Sequence, residues 1–220
     1  MPRRDPQGPG QLSDDDSAST RGATTPQVSA DETHLLERFV HGEQVFRGRL
    51  LDVRRDTVAM PDGRPATREY VVHPGAVAVV PILDDGRLVM ERQFRYPIGR
   101  VALEFPAGKI DAGEPLLVCA QRELTEETGY RAREWARAGL THNAMAYSTE
   151  IIEIWFARGL TAGERRLDDG ELIDLALVTE NELDTAIASG EVTDAKTMIA
   201  LLWLQKWRAD SWPLHWFTPG

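Results

Sequence analysis

Residues 108–130 read GKIDAGEPLLVCAQRELTEETGY, and this stretch decides the fold. Pro115 suits the first position of a helix, where a missing N–H costs nothing, and Gly129 suits the left-handed residue just past the end. We therefore predict a helix from about residue 115 to residue 128, which has polar side chains along one face.

Three glutamates of this helix, Glu123, Glu126 and Glu127, share one narrow stripe at about 100° per residue. Carboxylates at these spacings repel each other by about 0.2–0.5 kcal/mol per pair, and the helix dipole disfavours negative charge in the last turns. A solvated acidic face is the ordinary interpretation of such a run. A bound cation would reverse both penalties, and carboxylate oxygens favour Mg²⁺, with Mn²⁺ as an alternative.

The same segment resembles the Nudix box, Gly-x5-Glu-x7-Arg-Glu-U-x-Glu-Glu-x-Gly-U, where U is a bulky apolar residue. The matching residues are Gly108, Glu114, Arg122, Glu123, Leu124, Glu126, Glu127, Gly129 and Tyr130. A chance match at a given start is on the order of one in 10⁸ to 10⁹. The resemblance implies a Mg²⁺-dependent hydrolase that cleaves a nucleoside diphosphate linked to another group, through attack of a metal-activated water.

The resemblance also implies a role for each box residue. The metal ligands would be the carbonyl of Ala107 and the side chains of Glu123, Glu126 and Glu127. Glu126 is also predicted to be a catalytic residue. The structural residues of the box would be Gly108, Glu114, Arg122 and Gly129. Among these, we expect an ion pair between Glu114 and Arg122 that orients the helix against its loop.

Most of residues 44–206 resemble one branch of this family, the ADP-ribose pyrophosphatases. The resemblance rests on HPGAVAVV at 73–80, on ERQFRYP at 91–97 leading to LEFPAGK at 103–109, and on DAKT at 194–197. It implies hydrolysis of ADP-ribose to AMP and ribose 5-phosphate. It also implies a homodimer, in which the N-terminal strands at about 44–72 pack on the partner and help to form its adenosine pocket.

One departure leaves the substrate open. This branch usually has a proline followed by glycine shortly after the box, where this chain has Met145 and Ala146. An alternative substrate is therefore another nucleoside diphosphate sugar or an NADH-like dinucleotide. A third hypothesis is a non-catalytic ADP-ribose-binding module, although such a module should have lost box carboxylates that are all present here.

Five residues outside the box are predicted to contact the substrate: Arg92, Arg95, Glu104, Tyr147 and Glu150. Arg95 is the predicted phosphate ligand and Arg92 the second choice. Side chains three apart on a strand point to opposite faces, so only one of the two arginines should face the site. Tyr147 either stacks on a base or lies in the core.

A loop carboxylate well past the box is implied as the general base that assists the attacking water. The matching region, residues 166–173, reads RLDDGELI. Glu171 is the first choice and Asp169 the second, because the register is ambiguous by about two residues and aspartate reaches less far. The alternative interpretation is an ordinary acidic turn around Gly170.

The chain divides into three predicted segments. Residues 1–33 are small and polar and bury too little apolar surface to offset the entropy of ordering, which predicts a disordered tail. Residues 34–73 form a predicted N-terminal antiparallel β element with strands at 45–53, 57–60 and 68–73. Residues 74–220 form a predicted hydrolase domain of class α+β, a Nudix-type α/β/α sandwich with a mixed sheet.

Within the hydrolase domain, apolar patterning predicts further elements. The expected strands are a buried hairpin at 75–83 and 87–95, followed by 134–138, 151–157 and 173–178. The expected helices after the box are 180–189 and one that begins at residue 193 or 194 and runs through 204. Four tryptophans near the end predict helix packing and an anchored tail, in preference to a ligand platform: Trp203, Trp207, Trp212 and Trp216.

Composition sets the remaining bounds. At 220 residues and 42% hydrophobic content the chain is long enough for one catalytic core. A net charge of −10 argues against broad nucleic-acid binding. The single cysteine, Cys119, excludes an internal disulfide, and no apolar run approaches the roughly 18 residues of a membrane span. We therefore expect a cytoplasmic protein with no membrane or nucleic-acid partner.

Overall fold

The computed structural model describes residues 29–220. The predicted tail, residues 1–33, therefore lies mostly outside the described residues. Within the described residues, Ala30–Leu35 forms a short 3₁₀ helix. Glu32 stabilises this turn by accepting a hydrogen bond from the backbone N–H of Ser29 at 3.0 Å, which is one half of a capping box.

Three strands form the N-terminal β element, an antiparallel sheet in the order β1-β2-β3. They are β1 (Arg38–Arg47), β2 (Asp52–Ala59) and β3 (Pro65–Val72). The predicted strand at 45–53 is wrong, because the chain turns at residues 48–51 and the backbone N–H of Gly48 donates to the carbonyl of Leu51 at 2.8 Å. A side chain at Gly48 would clash with the ring of Phe46 at 2.8 Å, so glycine permits the tight turn. The predicted strand at 57–60 is the end of β2.

A mixed seven-stranded sheet forms the centre of the hydrolase domain, with the order β10-β5-β4-β9-β8 and with β6 beside β5 and β7 beside β4. Its strands are β4 (Ala76–Ile82), β5 (Leu88–Arg95), β6 (Arg100–Glu104), β7 (Ala107–Lys109), β8 (Tyr130–Thr141), β9 (Ile152–Ala162) and β10 (Ile173–Val178). β4 pairs with β9 in parallel. The predicted β4–β5 hairpin holds only at its turn, where Ile82 pairs with Leu88, because β6 and β7 take the remaining edges.

Helices cover both faces of this sheet, which confirms the predicted sandwich. They are α1 (Leu116–Thr128), α2 (Glu180–Ala188) and α3 (Ala195–Arg208). Alternate residues of β4 divide between two cores: Val77 packs with Leu124 of α1, whereas Ala78 packs with Leu183 of α2 and Leu204 of α3. No helix within residues 29–220 has the length and apolar character needed to cross a membrane.

The ends of α1 and α3 follow the sequence signals closely. Pro115 is the cap residue before α1, one position earlier than predicted, and Gly129 ends the helix in the left-handed conformation with φ 76°. Asp194 caps α3 by accepting a hydrogen bond from the backbone N–H of Thr197 at 3.1 Å. The tryptophans pack as predicted, with the rings of Trp203 and Trp212 5.9 Å apart and those of Trp207 and Trp216 5.4 Å apart.

Candidate active site

A polar cleft of about 700 Å³ lies between the end of α1, strand β7 and the loops that follow β3, β8 and β9. Most of the predicted site residues line it: Arg95, Ala107, Gly108, Arg122, Glu123, Glu126, Glu127, Glu150 and Glu171. Others do not: Arg92, Glu104, Glu114, Gly129, Tyr147 and Asp169. The structure therefore brings together three box carboxylates, two arginines and the two predicted loop carboxylates Glu150 and Glu171 from distant parts of the chain.

Strand β7 holds two box carboxylates close against the sheet. The backbone N–H of Ala107 donates to Oε2 of Glu127 at 2.9 Å. The carboxyl group of Glu123 lies directly over Gly108, where a β-carbon would come within 1.8 Å of it. Both glutamates are buried. Glycine at 108 is thus required by the close approach of a carboxylate to the backbone.

Arg122 contacts more carboxylates than the single one predicted. Its Nε lies 2.9 Å from Oε1 of Glu114, which is the expected ion pair. Its Nη1 also donates to Glu123 at 2.7 Å and to Glu126 at 3.1 Å. The bond from Arg122 lowers the pKa of Glu114 to about 2. Arg122 therefore ties the loop before α1 to two of the predicted metal ligands.

Buried negative charge concentrates on the sheet side of the cleft. Burial raises the pKa of Glu123 to about 7, despite the opposing effect of Arg122. Burial also raises the pKa of both Glu91 and Glu127, and repulsion adds to it, from Glu104 in the case of Glu91 and from Glu91 in the case of Glu127. Oε1 of Glu91 is buried and has no hydrogen-bond partner among residues 29–220. This excess of carboxylate over cation is the electrostatic setting that a bound divalent ion would relieve.

The carboxylates are not already arranged around one point. Within the part of the chain that the structure describes, no group of three or more histidine, cysteine, aspartate or glutamate side chains has the spacing of a finished metal site. Glu123 and Glu126 are both turned towards Arg122. Their donor chemistry and charge fit Mg²⁺ or Mn²⁺, and they must reorient to bind either ion.

The two predicted arginines diverge as expected for side chains three apart on a strand. Arg95 lines the cleft, and its Nε donates to Oε1 of Glu104 at 2.6 Å. Arg92 is outside the cleft, with its Nη2 4.0 Å from Oε1 of Glu191. Glu104 was predicted to contact the substrate directly. In the structure it is buried and does not line the cleft, so its contact is with Arg95.

The loop after β9 contributes Glu171 to the cleft. Asp169, the second choice for the base, is exposed and does not line the cleft, whereas its neighbour Asp168 does. The backbone N–H of Asp168 donates to Oε2 of Glu171 at 3.2 Å, which bends the turn so that Glu171 points inward. The negative charge of Glu171 contributes to the raised pKa of Glu123 and Glu127, so it lies close enough to serve their site.

Glu150 lies in the cleft as part of a hydrogen-bonded group that the sequence did not predict. Nδ1 of His73 accepts from the backbone N–H of Gly75 at 3.1 Å, which leaves Nε2 as its N–H, 3.6 Å from Glu150. Asn143 donates to the other oxygen of Glu150 at 3.3 Å. Tyr147 is 62% exposed outside the cleft, so the alternative that it lies in the core is wrong.

Sequence reasoning missed Glu91, His73 and Lys196. Glu91 had a visible signal, since it follows the buried run Leu88–Met90 on a strand with no polar alternation. His73 and Lys196 lie in two of the stretches that carry the family resemblance, 73–80 and 194–197, but nothing in those stretches gave either residue a role, and the fold brings both to the cleft.

Comparisons with known proteins agree with this site. The model of the NUDIX domain matches residues 72–202, and the model of the nucleoside diphosphate sugar hydrolase N-terminal domain matches residues 38–71. The first match spans the sheet, α1 and the cleft. The chain belongs to the Nudix family and is a Nudix hydrolase.

Two curated relatives and one solved structure resemble the chain over most of its length. The ADP-ribose pyrophosphatase of Bacillus subtilis (strain 168) is 38% identical over 78% of this chain and 94% of its own. The methanol dehydrogenase activator of Bacillus methanolicus is 39% identical over 77% of this chain and 92% of its own. A crystal structure of an ADP compounds hydrolase superposes with a TM-score of 0.72 at 25% identity, covering 79% of this chain and 95% of that one.

Nudix hydrolases generally need a divalent metal ion, and the residues present here fit one. Hard oxygen donors are available on α1, and burial raises the pKa of Glu91 and Glu127, so a divalent ion at this place would replace protons that the metal-free carboxyl groups hold. Glu123, Glu126 and Glu127, with the carbonyl of Ala107, would hold the ion.

We expect the stability of the metal-free protein to fall as pH rises. The folded-state pKa values of Glu91, Glu123 and Glu127 lie above the ordinary value of 4.5, and that of Glu123 is about 7. Between those values the folded state binds more protons than the unfolded state, so raising the pH favours unfolding. Thermal melting in EDTA should show Tm decreasing between about pH 5 and pH 8.

The metal should oppose this trend. Added Mg²⁺ should raise Tm more at pH 8 than at pH 6, because at the lower pH it must displace protons from the same carboxylates. A matched titration of Glu126→Gln, which lacks one predicted ligand, should show a smaller Mg²⁺ effect. A pH-independent Tm in EDTA would contradict the prediction.

Proposed function

We propose that this enzyme hydrolyses the pyrophosphate bond of ADP-ribose to AMP and ribose 5-phosphate, with Mg²⁺ as its metal and Mn²⁺ as a substitute. The observation that carries the proposal is the single cleft that holds both the box carboxylates and Arg95. A relative named ADP-ribose pyrophosphatase, matched over 94% of its own length, supports the choice of substrate.

Different residues of the cleft have different roles in the proposed hydrolysis. A divalent ion, when bound, lowers the pKa of a water molecule and offsets the charge of the phosphates. Arg95 holds the phosphate oxygens by charge-assisted hydrogen bonds. Glu171 accepts the proton of the attacking water, whose oxygen bonds to one phosphorus as the bridging P–O bond breaks. The bridging oxygen leaves with the other phosphate, which yields two phosphate monoesters.

Steady-state kinetics over a substrate panel test this proposal. The panel contains ADP-ribose, NADH, GDP-mannose, UDP-glucose and diadenosine polyphosphates, each with Mg²⁺. We expect ADP-ribose to lie within about tenfold of the highest kcat/KM in the panel. A value below that range would shift the assignment to another member, and the absence of any hydrolysis would favour a binding module.

Another nucleoside diphosphate sugar, or an NADH-like dinucleotide, is the second candidate substrate. The observation that favours it is the loop after β8, where Met145 replaces the proline of the ADP-ribose branch and is 79% exposed. Met145 and Tyr147 are exposed on the loop that also supplies Asn143 and Glu150 to the cleft, and their apolar surface would accept a larger second group. The kinetic panel separates the two candidates.

We propose the cytoplasm as the compartment in which the enzyme works. The one cysteine of the chain, Cys119, is buried, and burial raises its pKa to about 12. A thiol of this kind is protonated and unreactive, as suits a structural residue kept reduced.

We further propose that the enzyme is a homodimer assembled through the N-terminal β element. Every residue of β1 is exposed, and β1 is an edge strand of its sheet. Val40 and Val45 are 58% and 46% exposed. An edge strand with exposed apolar side chains is a favourable surface for another chain. Leu50 of this element reaches the cleft, so the same element touches both the proposed interface and the site.

Charged substitutions on β1 should separate the dimer. We expect Val40→Asp and Val45→Glu together to shift the sedimentation coefficient from that of a dimer to that of a monomer, because each places a charge in an apolar contact. Leu202→Glu, on the exposed face of α3, is the matched control and should leave the dimer intact. A wild-type protein that sediments as a monomer at all concentrations would refute the proposal.

A further inference from the structure

Four charged side chains are linked at one wall of the cleft: Arg95, Lys196 and Asp194 line it, and Glu104 is buried between Arg95 and Lys196. Oε1 of Glu104 accepts from Arg95 Nε at 2.6 Å, and its Oε2 accepts from the Nζ of Lys196. The same Nζ lies 3.0 Å from Oδ2 of Asp194. Every oxygen of Glu104 is therefore engaged, one by the cleft arginine and one by the lysine.

The buried part of this linked group is rigid. The side chains of Glu104 and Lys196 are only 3% and 9% exposed. Asp194 caps α3 and also accepts from the hydroxyl of Thr197 at 2.6 Å, and that hydroxyl accepts from the backbone N–H of Phe105 at 3.2 Å. Lys196 is thus fixed to the start of α3, and the end of β6 is fixed to the same helix.

The Arg95 end of this linked group has space beside it. A second cavity of about 380 Å³ lies beside Arg95, between the turn at 96–98 and the start of α3. Arg95 lines both this side cavity and the catalytic cleft. The side cavity leaves space beside the guanidinium, and the bond to Glu104 is the contact that holds it where it is.

We propose that Lys196 is a positioning residue for the phosphate-binding arginine: by binding and neutralising the second oxygen of Glu104, it leaves Arg95 attached through Nε alone. The other guanidinium nitrogens remain free for phosphate oxygens. Without Lys196, Glu104 is a buried carboxylate with Arg95 as its partner, and two parallel hydrogen bonds to that carboxylate become the favoured geometry. This inference rests on the proposed role of Arg95 in phosphate binding.

The test is a set of four proteins: wild type, Lys196→Met, Arg95→Ala and the double variant. The first measurement is the affinity for inorganic pyrophosphate with Mg²⁺, by calorimetry, which needs no turnover. We expect Lys196→Met to weaken binding about tenfold, because it misplaces a group that contacts the phosphate. In the Arg95→Ala background the same change should have almost no further effect, since residues acting through one contact are not additive.

Kinetics add a measurement that a merely structural role would not move. With the best substrate of the panel, Lys196→Met should raise KM about tenfold and change kcat less than about threefold. Lys196→Arg, which keeps the charge, should restore most of the affinity. Lys206→Met, an exposed lysine on the same helix, is the matched control and should behave as wild type.

Distinct outcomes separate the two proposals. If Arg95→Ala weakens pyrophosphate binding and Lys196→Met does not, or if their effects simply add, the positioning role is overturned while the proposed function stands. If the wild type hydrolyses no nucleoside diphosphate, the proposed function fails, and the binding data still decide the role of Lys196. If Lys196→Met does not fold, Glu104→Gln is compared with Glu104→Gln/Lys196→Met: the two should bind pyrophosphate equally, because Lys196 acts through the charge of Glu104, and a further tenfold loss in the double variant would overturn the inference.

Discussion

Replacing Glu126 with glutamine should lower kcat by at least about 10²–10³-fold while the fold and its Tm in EDTA are retained, because metal-ion catalysis supplies several kcal/mol of the rate enhancement. Glu126 lines the cleft and is less buried than Glu123 and Glu127. Its carboxylate bonds only to Arg122 at 3.1 Å among the hydrogen bonds of the described residues. The change thus removes a predicted ligand and disturbs little else.

Glu164→Gln is the matched control for this prediction. Glu164 is exposed and does not line the cleft, so the same loss of one charge should leave kcat within about twofold of wild type. The measurements are kcat with saturating Mg²⁺ and circular dichroism for the fold. Unchanged turnover in Glu126→Gln would refute the assignment of Glu126 as a ligand.

Gly108→Ala should lower kcat by at least about 100-fold, since displacing a catalytic group by about 1 Å can cost that much. The new β-carbon would come within 1.8 Å of the carboxyl group of Glu123. That carboxyl group ends a flexible side chain, so it can move aside and the protein can still fold. The site loses the position of one predicted ligand, whereas the core loses nothing.

Gly113→Ala separates the two effects. Gly113 has φ 78° and nothing within 4 Å of an added β-carbon, so alanine there should cost about 1 kcal/mol of stability and leave kcat unaffected. Gly108→Ala should show the opposite pattern, with Tm nearly unchanged and kcat lost. If both variants lost stability and activity in proportion, the effect at 108 would be one of folding and the role of Glu123 would need another test.

The sequence allowed the box helix to be predicted closely because all of its signals are local. The capping proline, the terminal glycine and the spacing of the carboxylates lie within residues 108–130, where a regular helix converts spacing directly into direction. The same holds for α3, whose aspartate cap is visible in the sequence. The turn at 48–51 was missed because apolar residues on both sides of it continue the pattern of a strand.

The rest of the site depends on contacts between residues far apart in the chain. Lys196 reaches Glu104 across 92 residues, and strand pairing sets Glu104 opposite the buried Glu91. The choice between Asp169 and Glu171 depended on the register of one loop, where Asp168 and not Asp169 shares the cleft with Glu171. Residue types and spacing do not contain that information.

The two halves of the cleft differ in how they are supported, and this has an evolutionary consequence. The carboxylates of α1 are held by a helix packed on the central sheet, with Leu124 fully buried. The groups opposite them, Glu150 and Glu171, come from loops after β8 and β9. Loops tolerate substitution and insertion far better than packed helices. A descendant of this protein can therefore come to accept a substrate with a different leaving group through changes in these loops, while the carboxylates of α1 stay unchanged.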